Sequence, residues 1–424
     1  MLVVDCLLYG VGLLLVYKAT ANALSFPFLF WVFTAPVAFA ADIDVRGVFA
    51  VGAFCWGIGA IITNAVNGCR PVAEVKAYRT KSLGCGASSA HALYVTLLVA
   101  FWIATFLSLY YYSQVGISLF ASGDVGYERL VRRHATEGSY ALQRVFRVAM
   151  PIICIAFFAM RFCDQTKKYY SNKKLAFAVF VTSAFLIFTG MRGNLIIFIL
   201  TPFMVTLGLI DGGLKLRSII YLLGLTVGGG LVVTVLMYPD LPLTDLLIVI
   251  AARISAGASD GIWYVVSTDY IANGPYLGMT YLNDLLSIFY KLGLIGSQSL
   301  TYGAQLAESM LGGAYNGEQA AVYFLGELFA NFGPAGVYVG SAFVGGIAQL
   351  LYSATLRGRK TILSFSARIY FCALILPILG GPTVSMLLDY TITIGGTYLA
   401  LAFGVTTITA MRTHALSEDL SART

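Results

Sequence analysis

The residues of this chain best placed to do chemistry are arginines. From Gly126 to Arg147 it reads GYERLVRRHATEGSYALQRVFR, five arginines and one histidine between two strongly apolar segments. Arg129, Arg132 and Arg133 fall at i, i+3, i+4, and Arg144 and Arg147 at i, i+3, so each set shares one face of a helix. Arg192 and Arg253 follow, each bordered by apolar sequence. A guanidinium is a planar fork of donors that binds phosphate or carboxylate two bonds at a time, so the set reads as a holder for a di-anion. The competing reading is that these side chains snorkel to lipid phosphates or pair with Asp124, Glu128 and Glu137.

A base is the second requirement of group-transfer chemistry. Glu327 ranks first, because a carboxylate inside the apolar run YFLGELFANFG is expensive in a membrane and is usually functional. Its bland alternative is an ion pair with Arg192 or Arg253. Asp260 and His134 are the next candidates, followed by Asp269, Asp284, Glu308 and Glu318. Around them lie Trp263, Tyr270, Tyr276, Tyr281, Tyr302, Tyr315 and Asn331. Aromatic faces with amides nearby suit a sugar, whose C–H faces stack while its hydroxyls hydrogen-bond. The same aromatics also fit the belt that membrane proteins place at headgroup level. No P-loop, dinucleotide fingerprint, zinc-protease motif or nucleophile elbow occurs. The seven cysteines match no zinc spacing, so free thiols, no metal and no cofactor are expected.

The elements that must position these groups follow from composition. The chain has 424 residues, 58% hydrophobic and only 11% charged, with a mean hydropathy of +0.81. A soluble protein carries roughly 25% charged residues. That shortfall and the repeated long apolar runs place the chain in a bilayer as an all-α polytopic protein. A transmembrane barrel would show short alternating segments instead. Apolar runs predict helices over 2–17, 24–41, 47–66, 93–113, 141–160, 175–190, 195–210, 218–238, 320–355, 366–381 and 386–410, about eleven crossings. The 320–355 run is too long for one simple span, and a break is expected at Pro334. The first segment has no basic start or small-residue cleavage site and reads as a retained helix.

The net charge of +7 comes from basic loops of the cytoplasmic side, not from a nucleic-acid surface. With GCRPVAEVKAYRTK inside and the spans alternating, nine lysines and nine arginines fall inside, and eight arginines but only Lys291 fall outside. A topology signal needs positive charge alone, so the preference for arginine outside argues for a geometric role. The organisation expected is one integral membrane domain over 1–424 with its amino terminus outside and carboxyl terminus inside. An arginine-rich outer loop covers 114–140, and a large outer loop with short or re-entrant helices covers 239–319.

Three stretches together resemble a known family. FTGMRGNLIIFILTPF carries Arg192, ARISAGASDG carries Arg253, and FLGELFANFGPAGVYVGSAFVGG carries Gly326, Glu327, Asn331, Gly333 and Gly336. Their order resembles the Wzy-type repeat-unit polymerases of bacterial O-antigen, capsule and common-antigen assembly, over roughly residues 120–350. The resemblance implies a GT-C-like membrane glycosyltransferase of the bacterial inner membrane. Its substrate would be an undecaprenyl-diphosphate-linked oligosaccharide on the periplasmic face, with membrane lipid and a chain-length-regulating co-polymerase as partners. The outward arginines would then grip the lipid diphosphate. A ligase passing the glycan to lipid A, or a lipid-linked glycan flippase, are the alternatives.

Overall fold

Prolines, glycines and long apolar runs decide where the helices start, bend and stop. The computed structural model describes residues 2–22, 25–80, 83–85, 90–117, 140–188, 195, 198, 242, 244–245, 260–291, 294–296, 300–310, 320–358, 360–380 and 383–421. Over these the chain is helical, apart from one isolated β-bridge between Gly84 and Thr361. The amino-terminal part contains α1 (Leu2–Thr20), α2 (Phe26–Ala40), α3 (Ile43–Val66), α4 (Pro71–Thr80) and α5 (Ala90–Val115). Next come α6 (Tyr140–Arg144), a π-turn (Val145–Ala149), α7 (Met150–Ala159) and α8 (Asn172–Phe188). A group of short elements follows: α9 (Asp260–Tyr264), a second π-turn (Val265–Asp269), α10 (Tyr270–Asn273), α11 (Met279–Lys291) and α12 (Tyr302–Met310). Three long helices close the chain: α13 (Tyr323–Arg357), α14 (Ile362–Gly380) and α15 (Thr383–Ser421).

Six helical stretches among the described residues are long and apolar enough to cross a membrane: Leu2–Thr20, Ile43–Val66, Ala90–Val115, Ala141–Phe162, Tyr323–Arg357 and Val384–His414. The chain is therefore a multi-pass membrane protein. Pro27–Ala40 and Ile362–Phe371 are shorter apolar helices. The predicted runs 195–210 and 218–238 lie almost wholly outside the described residues, so of the eleven expected crossings the structure supports this smaller set.

The chain divides into two compact units. The first comprises Met1–Tyr78, Tyr238–Gly358 and Leu374–Asp389, and the second Arg79–Met237, Arg359–Ala373 and Tyr390–Thr424. In the first unit α3 packs against both α1 and α13. Contact with α13 depends on small residues: a Cβ on Gly59 would collide with the Ala342 carbonyl, and one on Gly345 with the Trp56 carbonyl. Lipid offers no hydrophobic drive between helices, so such close backbone approach supplies the van der Waals contact that holds them together. A buried polar knot fixes their register. Gln349 Nε2 donates to Asn64 Oδ1 at 2.9 Å and to the Ala19 carbonyl at 3.0 Å, and Asn64 Nδ2 donates to the same carbonyl at 2.8 Å. All three residues lie in the carboxyl-terminal parts of their helices, so α1, α3 and α13 run parallel. Beyond the knot, Arg357 pairs with Glu74 of α4 at 2.6 Å.

In the second unit α7 packs between α5 and α8. Tyr112 stacks on Phe185 with ring centroids 5.7 Å apart and donates to its carbonyl at 2.6 Å. At one end Gly84 N donates to the Lys360 carbonyl and Ile362 N to the Gly84 carbonyl, each at 3.0 Å. Cys85 Sγ lies 3.7 Å from Cys163 Sγ at this same end. The charge-based alternation requires these loops to share a side, and they do. Pro151 has no N–H to offer the Arg147 carbonyl one turn back. The helix responds by widening to a π-turn, with Met150 N bonded to the Val145 carbonyl. The Tyr370 hydroxyl of α14 donates to the freed Arg147 carbonyl.

Candidate functional site

The break expected at Pro334 is present and it builds the site. Pro334 cannot donate to the Ala330 carbonyl, and Gly333 leaves the helical conformation altogether at φ 64°, ψ −157°. Only glycine enters that region without strain. A side chain there would also strike the Tyr270 hydroxyl. The carbonyls freed by the break do not go unused. Tyr276 N donates to Ala330 O and Leu277 N to Asn331 O, both at 3.0 Å. Backbone polar groups at membrane depth must be satisfied within the protein, and this exchange satisfies two of them. The turn before α11 is thereby clipped to the first segment of α13.

That clip buries a polar cluster. Glu327 is 1% exposed and Asp284 0%, and Asp269, Asn331, Thr280 and Ser287 are buried with them. Asp269, in the second π-turn, accepts from the Tyr302 hydroxyl at 2.6 Å, from Asn273 Nδ2 at 2.9 Å and from the Tyr276 hydroxyl at 3.0 Å. Asp284 Oδ1 accepts from Tyr302 N at 3.2 Å, which ties α11 to the start of α12. Asn331 cross-links three elements. Its amide nitrogen donates to Thr280 Oγ1 at 2.5 Å and to the Glu327 carbonyl at 2.8 Å, and its oxygen accepts from Gly278 N at 2.8 Å.

Burial first, and the carboxylates second, raise the pKa values of the neighbouring phenols. Burial, then the hydrogen bond to Asp269 and its charge, pushes the Tyr302 hydroxyl far above its usual range. Burial, followed by the Glu327 charge, raises Tyr281. Tyr276 is pushed up to about 12, first by burial and then by Asp269. Tyr276 and Tyr302 stay protonated at neutral pH and donate to Asp269. Among the described residues no group of three His, Cys, Asp or Glu side chains is arranged to hold a metal ion.

The residues singled out from sequence separate into four groups. Glu327, Asn331, Tyr270, Tyr276, Tyr281 and Tyr302 come together in the first unit. Trp263 and Asp260 lie on α9 with exposed side chains, and partial burial raises the Asp260 pKa. Arg144 and Arg147 belong to the second unit. Arg144 sits over the Tyr390 ring at 5.2 Å, and the Arg147 carbonyl accepts from the Tyr370 hydroxyl. Arg129, Arg132, Arg133, His134, Arg192, Arg253 and Tyr315 lie outside the described residues. Asp269 and Asp284, ranked low from sequence, turn out to be central. Thr280, Asp284 and Ser287, at i, i+4, i+7, form a polar stripe in the sequence, and the packing puts that stripe on the buried face of α11. Compared with known proteins, the chain matches no family model, no curated protein and no solved structure.

Proposed function

We propose that this protein is a membrane glycosyltransferase that polymerises undecaprenyl-diphosphate-linked oligosaccharide repeat units on the periplasmic face of the bacterial inner membrane. The observation that carries this reading is the buried cluster of Glu327, Asp284 and Asp269 with Tyr276, Tyr281 and Tyr302. It lies at the end of α13 remote from Arg357, Glu74 and the basic loop that marks the cytoplasmic side.

The reaction divides among the residues as follows. An acceptor sugar hydroxyl gives its proton to a carboxylate, Glu327 in this reading. The hydroxyl oxygen then forms a bond to the anomeric carbon of the growing glycan. The bond from that carbon to the lipid diphosphate breaks, and the diphosphate leaves with the electron pair. An outward arginine of the same unit as Glu327, Arg253 in this reading, stabilises the developing negative charge. Asp269 and Asp284 hold Tyr302 and α12 against α11 and so keep the base in place.

Purified protein supplied with a defined lipid-diphosphate repeat unit should convert it to a ladder of longer products. Intact single units after prolonged incubation of folded protein would overturn the reading. The broken helix at Gly333 also fits a carrier, because transporters build substrate sites from discontinuous helices. A surface-glycan gel of a deletion strain separates the alternatives. Loss of long ladders with one repeat retained indicates polymerase, loss of all capped lipid A indicates ligase, and build-up of inward-facing lipid-linked units indicates flippase.

A further inference from the structure

α11 is inside out. In a helix on a water-soluble surface the apolar face is buried and the polar face is wet. Here Thr280, Asp284 and Ser287 are buried, together with Ile288, while Met279, Leu282 and Phe289, at i, i+3 and i+10, are 51%, 44% and 36% exposed. Neighbouring elements carry the same pattern: Ile271 and Leu277 are each 75% exposed. Leu277 also holds a left-handed backbone at φ 51°, a conformation unfavourable for leucine, which projects this side chain outward.

From this inverted polarity we infer that the outer face of α10 and α11 is a lipid-contacting surface whose occupant is bilayer hydrocarbon. Two observations choose lipid over water or a protein partner. Among the described side chains of α11 the exposed ones, Met279, Leu282 and Phe289, are all uncharged, and its one acid, Asp284, is buried on the opposite face. The face is also continuous with a membrane-crossing helix. Leu277 is hydrogen-bonded through its backbone to Asn331, next in sequence to exposed Phe332, and α13 continues outward-facing through Tyr338, Val339 and Phe343. One apolar surface thus runs from the span onto the short helices. α11 lies in the interface as an amphipathic element with lipid on one side and the carboxylate cluster on the other. The inference depends on the membrane reading alone, not on glycosyl transfer.

Photocrosslinking in the full chain tests it. Benzoyl-phenylalanine is introduced singly at Leu282 or Phe289, exposed positions where a bulky group does not disturb packing, and the protein is irradiated in native membranes. Val339, on the crossing part of α13, serves as the lipid reference, and Val72, exposed on α4, as the reference outside the spans. Lipid adducts at Leu282 and Phe289, in a yield comparable to Val339 and many-fold above Val72, are expected by mass spectrometry. Yields no higher than at Val72 while Val339 reacts would overturn the proposal. So would crosslinking mainly to a second copy or to another protein.

Discussion

Glu327 and Tyr276 each carry a test at the scale of the single residue. Glu327→Gln keeps shape and most hydrogen bonding but removes basicity, so a catalytic base should lose roughly 100-fold or more in polymerisation rate while lipid-donor binding holds. A structural anchor would show the reverse: lower yield of folded protein or weaker donor binding at a normal rate. Polymerisation at the wild-type rate by a folded Glu327→Gln protein transfers the role to another carboxylate. Tyr276 makes a pH prediction. Its hydroxyl, ordinarily at 10, stands at about 12 in the folded protein, so the neutral donor form is favoured by folding. That contribution is complete below pH 10 and is lost as the pH rises through about 12. Thermal melting of the purified protein should therefore fall over this alkaline window, and Tyr276→Phe should flatten the fall. An identical slope in the two proteins would show that the hydroxyl is not held as described.

At the scale of elements, two prolines do the same thing. Pro151 frees the carbonyl of Arg147 and Pro334 that of Ala330, and each carbonyl is taken by a distant donor, Tyr370 or the Tyr276 backbone. Although 141–160 read as one uninterrupted run, the break at Pro334 was legible in the sequence, since a proline cannot complete the helical ladder. The partners were not, because nothing in the local sequence says which turn will arrive from elsewhere. The same asymmetry explains the site. Glu327 announced itself as a charge in an apolar run, whereas Asp284 was masked because its helix reads as amphipathic in either orientation, and only the packing shows which face is in. Gly333→Ala tests the break. It forces a side chain into a backbone region reserved for glycine, at a cost of about 1–3 kcal/mol, and drives it into Tyr270. A drop in thermal stability with loss of activity is expected; wild-type melting would mean that the break is not needed.

At the scale of the molecule, the parallel run of α1, α3 and α13 agrees with the alternation derived from lysine and arginine counts, in which all three pass from outside to inside. Cysteines at exposed Ser309 and Lys76 should therefore be labelled from opposite sides, with Ser309 reacting in intact spheroplasts and Lys76 only after lysis. The reverse pattern would invert the topology, and with it the assignment of the carboxylate cluster to the periplasmic face. Parallel packing also has a consequence for biosynthesis. The glycine face of α3 leaves the ribosome long before its partner, since Gly59 and Ala342 stand roughly 280 residues apart. At translation rates of about 5–20 residues per second that groove waits roughly 15–60 s for α13. Through that interval α3 has α1 on one flank and lipid on the other, and the notch left by Gly59 packs poorly against acyl chains. Nascent chains halted before residue 323 should accordingly be the form that membrane proteases clear fastest, and pulse-chase of a truncated chain against full length would measure the difference.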